Sequence, residues 1–145
     1  MSALPTPALP KWYLPVTIAA LLWNLLGCGA YLSDVMLTAD DIAKMSADQQ
    51  ALYASRPLWA VAATAIAVWG GALGCVGLIA RKRWALPLLV ASLIGVIVQD
   101  IGLFVLSDVI RIGGPVVLAM QGLVLAVAIA LVWLARTAIA RGWIR

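Results

Sequence analysis

The side chains in this chain that could do chemistry stand inside long apolar runs. They are Asp100, Gln99, Asn24, Gln121, Trp23, Trp69 and Tyr31. Asp100 is the most demanding, because a carboxylate within a membrane-spanning run costs roughly 2.5–3.5 kcal/mol on insertion scales. Such a group needs a partner, a water-filled cavity or a function. At about 1.5 Å of rise per residue from the basic ends of the runs, Trp23 and Trp69 fall at roughly 17 Å and Asn24 at roughly 18 Å. Gln99 follows at roughly 22 Å, with Asp100 and Gln121 at roughly 24–25 Å. Asn24, Cys28 and Tyr31 share one face at i, i+4, i+7. Two readings stay open. In one, these groups line a polar cavity, walled by Trp23 or Trp69, with Asp100 as a proton-coupling site. In the other, they hydrogen-bond across helices as packing glue.

The elements that must position them follow from composition. Of 145 residues 65% are hydrophobic and 11% charged, with a mean hydropathy of +1.06. A soluble domain carries about 25% charged residues, so the expectation is an all-α polytopic membrane protein. Apolar runs at about residues 12–35, 57–80, 84–106 and 115–138 are each long enough to cross about 30 Å of hydrocarbon. They define one transmembrane domain, a four-helix bundle with an outer loop at 36–56. The net charge of +4 is no sign of nucleic-acid binding, because the Lys and Arg residues cluster at run ends. Arg81-Lys82-Arg83 joins the second and third runs, and Arg136, Arg141 and Arg145 follow the fourth. Asp34, Asp40, Asp41 and Asp48 outweigh Lys44 and Arg56 around the first loop. The positive-inside rule places both termini in the cytoplasm and this loop outside. Trp12, Trp84 and Trp143 are expected near the inner interface and Trp59 near the outer one.

Local signals fill in the connections. Residues 1–10 read as a Pro-rich extended arm. Leu25-Leu26-Gly27-Cys28 is similar to a lipoprotein cleavage box, but Trp23 and Asn24 interrupt the apolar stretch before it, so the segment reads as a span. Thr38 and Ser46 look like helix N-caps, Ser46 with Gln49 fitting a capping box. They predict one or two short amphipathic helices on the outer surface. The halves echo each other faintly: Ser33-Asp34 and Ser107-Asp108 close the first and third runs, and Pro57 and Pro115 open the second and fourth. In the second run Ala60, Ala63, Ala67, Gly70, Gly74 and Gly77 form a seam of small residues for close helix packing. The seam could face a helix of the same chain, the favoured choice, or a second copy.

What is missing also constrains function. The chain has no His and no Glu, which removes the usual ligands of haem and catalytic zinc and the commonest general base. No cofactor or metal site is expected. Cys28 and Cys75 lie roughly 16 Å apart in depth, too far for a disulfide. The loop carboxylates match no calcium loop. An enzyme is therefore the reading with least support.

Trp23-Asn24-Leu25-Leu26-Gly27 with Tyr31, Arg56-Pro57-Leu58-Trp59, Gly70-Gly71-Ala72-Leu73-Gly74 leading to Arg81-Lys82-Arg83-Trp84, Val98-Gln99-Asp100 and Arg141-Gly142-Trp143 together resemble a family of small four-span bacterial inner-membrane proteins. That family is loosely labelled "sugar transporter". The resemblance covers most of the chain and implies a substrate class, but no catalytic residues. Small multidrug exporters of this size carry a membrane-embedded Glu in the first span, where this chain has Asn24. Two functions are therefore expected to compete. One is a carrier or binding protein for a small polar solute. The other is an accessory subunit of a larger membrane complex or homo-oligomer, embedded in the lipid bilayer.

Overall fold

A computed structural model describes residue 5, residues 7–106 and residues 108–145. Ser107 and part of the N-terminal arm, residues 1–4 and 6, lie outside the described residues. The described residues form seven helices and no strand: α1 (Tyr13–Val35), α2 (Ala39–Ala43), α3 (Ala47–Ser55), α4 (Leu58–Ile79), α5 (Ala85–Leu106), α6 (Val109–Gly113) and α7 (Pro115–Ala140). α1, α4, α5 and α7 are long and apolar enough to cross a membrane, so the chain is an all-α integral membrane protein. Their outward side chains are apolar, among them Leu22, Leu26, Ile66, Ile94, Val105, Val116 and Trp133. On a soluble protein such a surface would be an aggregation hazard; against lipid it is satisfied.

Helix ends fall where the chain supplies punctuation. Pro57 sits at the N-cap of α4 and Pro115 opens α7, positions where a missing N–H costs nothing. α4 ends in two wrapped-back bonds, Lys82 N–H to the Gly77 carbonyl at 2.9 Å and Arg81 N–H to the Leu78 carbonyl at 3.2 Å. This cap needs a left-handed residue, usually Gly. Here Arg81 takes it, at φ 58°. α7 ends the same way with Gly142 at φ 71°, its Trp143 N–H reaching the Ala138 carbonyl at 2.8 Å. The two caps are clasped together. Arg83 N–H donates to the Arg145 carbonyl at 2.9 Å, Arg145 N–H to the Arg81 carbonyl at 3.0 Å, and Arg81 Nε to the Trp143 carbonyl at 2.8 Å.

α4 is the central helix. It packs along α5 and α1, and α5 in turn packs on α7. The small-residue seam meets α5 of the same chain: a methyl on Gly70 would approach Ser92, one on Gly74 would strike Leu89, and one on Gly77 would strike Ala85. α5 returns the fit with Gly95 against Ala63 and Ala67, and Gly102 against Ala60. α1 and α7 flank this pair. They come together mainly at the clasped end, where Tyr13 and Leu21 join Leu131, Leu134, Ala135 and Ala138 in the largest buried cluster. There the Tyr13 hydroxyl donates to the Leu78 carbonyl at 2.8 Å. Trp143 belongs to this cluster and is buried, stacked edge-on against Trp12 and Tyr13. It is a core residue, not the interfacial anchor expected from its position near the chain end, because the turn at Gly142 folds it back under the bundle.

The loop at 36–56 contains the two short helices expected. The reciprocal capping box belongs to α2, not α3. Thr38 N–H donates to the Asp41 carboxylate at 2.9 Å and Asp41 N–H to the Thr38 hydroxyl at 3.2 Å. Ser46 accepts from Gln49 N–H at 3.3 Å without a return bond, since the Gln49 amide does not turn back to it. Asp34 ties this loop to α1. It accepts from the Tyr53 hydroxyl at 2.7 Å and from Arg56 Nη1 at 2.6 Å.

Candidate functional site

Because α1 and α7 come together mainly at one end, a cleft opens between them above the core, past the exposed side chains of Leu26 and Met120. A deep cavity of about 370 Å³ lies among all four long helices. Its polar lining is Asn24, Ser92 and Gln99. Trp23, Val68, Val96, Met120, Val124 and Leu131 supply much of the apolar wall, and no charged side chain lines it. The volume is within the range of small-molecule pockets, which are mostly apolar with a few placed polar groups. A second cavity of about 300 Å³ lies toward the loop, bounded by Tyr53, Arg56, Thr64, Gln99, Leu103 and Gln121. A third of about 220 Å³ opens beside it at Tyr31, Asp34, Arg56 and Thr64.

Local sequence explains how each polar group is held. Asn24 Nδ2 donates to the Ala20 carbonyl one turn back at 2.9 Å and to Cys75 Sγ at 3.6 Å. Its carbonyl end occupies the notch left by Gly71, where a methyl group would collide with it. Ser92 Oγ donates across the helix pair to the Ala67 carbonyl at 2.6 Å. A polar hydroxyl in this interior is therefore satisfied, as burial requires. Gln99 Nε2 donates to Gln121 Oε1 at 3.3 Å, joining α5 to α7. Cys28 Sγ reaches the Val68 carbonyl at 3.4 Å. α1 runs unbroken through this residue, and both cysteines are buried and free.

The expected site residues divide. Trp23, Asn24 and Gln99 meet at the deep cavity, and Gln121 joins Gln99 at its outer edge. Tyr31 lines the side cavity instead, because seven residues place it about 10 Å farther along α1 than Asn24. Trp69 is no cavity wall. It is 42% exposed on the outer surface, since it sits two residues from both Ala67 and Gly71 and so points away from the face that α4 buries. Asp100 lines none of the three cavities. It lies four residues after Val96, which packs with Ala128 of α7. That spacing puts it on the side of α5 that meets α7, beside Gln99, whose side chain hydrogen-bonds it. Its Oδ1 is buried with no hydrogen-bond partner among the described residues. Neither Arg56 nor Arg111 is its partner: Arg56 pairs with Asp34 and Arg111 with Asp108. Ser92, Thr64 and Gly71 were not singled out from sequence. A Ser or Thr within a span commonly bonds its own preceding turn, as Thr64 does to Ala60, so type alone did not mark Ser92 as lining a cavity. No protein-family model matches the chain, and no curated protein or solved structure is similar to it.

Proposed function

We propose that this protein binds, and carries, a small uncharged solute in the deep cavity between its four spanning helices. The observation behind this reading is the cavity's lining. The Trp23 indole can cover an apolar or ring face, while the Asn24 and Gln99 amides offer donors and acceptors. An ion would lose its hydration there and meet no compensating charge. The family likeness labelled "sugar transporter" fits this chemistry, because sugars present apolar ring faces with hydroxyl edges. The cytoplasmic placing of both termini belongs to the same proposal and rests on the basic cluster at the clasped end. The accessory-subunit reading has less support, since the small-residue seam that could have docked a partner is covered by α5.

The test is a thermal unfolding series in lipid nanodiscs with glucose or cyclohexanol as probes. Binding to the folded state raises Tm with ligand concentration. The expected result is a rise with at least one probe in the unaltered protein and no rise in Val124→Phe, whose ring would fill the cavity. A Tm that neither probe moves, or that Val124→Phe shares, overturns the reading.

A further inference from the structure

Gln99 is the one residue common to the linings of the deep cavity and the upper cavity. Its amide meets Gln121 across the boundary between them through a single 3.3 Å bond. We propose that this amide pair is the barrier a solute crosses between the two cavities, and that it selects uncharged hydrogen-bonding solutes over ions. The proposal rests on the deep cavity being the solute site.

The chemistry of two facing primary amides supports it. Each has two donor hydrogens and an acceptor oxygen with two lone pairs. One bond between them leaves several groups to face the cavities on either side. A solute hydroxyl or amide can replace that bond in kind, so opening costs little net free energy. A cation has nothing equivalent to gain below the barrier, because the deep cavity holds no carboxylate. Packing supports the same placement. Gln99 is anchored on α5, which is locked to α4 along the small-residue seam. Gln121 sits on α7, which packs on α5 but takes no part in the α4–α5 seam. Relative movement of α7 would separate the pair without disturbing the seam.

Thiol labelling in nanodiscs tests this, with Cys28→Ala and Cys75→Ser removing the native thiols and Val124→Cys placing a new one in the deep cavity. Two reagents are compared: neutral methyl methanethiosulfonate and its trimethylammonium-ethyl analogue. The neutral reagent is expected to react faster. Gln121→Ala, which removes the barrier bond, is expected to raise the rate of the cationic reagent about tenfold, the range of one hydrogen bond. If Gln121→Ala fails to fold, Gln121→Asn shortens the same amide by one methylene and gives the same comparison. A thiol that neither reagent reaches in any variant removes the solute site, and this barrier with it. A thiol that reacts at rates independent of residue 121 leaves the site standing and overturns the barrier.

Discussion

Gly95→Ala is the sharpest test of the packing that frames the cavity. An added methyl would lie 2.7 Å from the Ala63 carbonyl oxygen, 2.9 Å from Ala67 N and 3.2 Å from Ala67 Cα. Ordinary contacts of carbon atoms fall near 3.5–4.0 Å. The obstructing atoms are backbone, so no side chain can swing aside. α4 and α5 must separate, and overpacking of this kind costs about 1–3 kcal/mol. One turn away, the 2.6 Å bond from Ser92 to the Ala67 carbonyl would stretch, adding about 0.5–1.5 kcal/mol. The expected loss is about 1.5–4.5 kcal/mol in total. Gly122→Ala is the matched control, because a methyl there meets nothing within 4 Å. It should be neutral or stabilising by up to about 1 kcal/mol through helix propensity. Both can be measured by titrating dodecyl sulfate into mixed micelles and following helicity by circular dichroism. Equal stabilities for the two variants would refute the interlocked α4–α5 seam.

Further expectations concern the remaining groups. Asp100→Asn should leave solute binding and its pH dependence unchanged, because Asp100 lines no cavity; a loss of pH-dependent uptake in proteoliposomes would restore the proton-coupling reading. The Tyr53 hydroxyl is raised from its ordinary pKa of 10.0, chiefly by its hydrogen bond to Asp34 and further by burial and the Asp34 charge. A raised folded value means its contribution is complete below pH 10.0 and is lost as pH climbs through the folded pKa. Phenolate absorbance should therefore show a late-titrating component, and Tyr53→Phe should reduce its amplitude. Arg81→Ala should destabilise the clasped end, since it removes the Nε bond to Trp143 and keeps a side chain at positive φ; Tm should fall more than for Lys82→Ala. A fluorescent reporter that folds only in the cytoplasm should be bright after Arg145 and dark within the loop near Asp48; the reverse pattern would invert the proposed orientation.

The spans were legible because roughly twenty-residue apolar runs bounded by Pro, Trp and basic clusters leave few alternatives. The α4 seam was legible because six small residues recur on one stripe. Its counterpart, Gly95 and Gly102 on α5, was harder to see: bulky Leu and Val separate them, and their meaning depends on which helix lies opposite. The same limit governed the site. Depth along a helix can be counted from sequence, and Gln99 and Gln121 were correctly placed near one level. Rotation cannot be counted across separate helices. Asp100 therefore shared a level with the glutamines without sharing their cavity, and Trp69 shared a level with Trp23 while facing outward. Trp143 shows a third limit. A residue after the last span reads as interfacial unless the left-handed turn at Gly142 is recognised as a reversal.

The clasp between the α4–α5 turn and the stretch 143–145 has a consequence for the order of assembly. The α4–α5 hairpin carries its complementary surfaces within one contiguous segment and can close as soon as both strokes of the hairpin have entered the bilayer. α1 needs only α4 to dock. The floor of the cavity must wait. Trp143 and Ile144, which belong to the buried cluster beneath it, leave the ribosome after the four long helices. A chain synthesised only through α7 thus has the helical part of this cluster but lacks the two side chains that the turn at Gly142 folds back onto it. Closing of the clasp therefore follows the synthesis of α1, α4, α5 and α7.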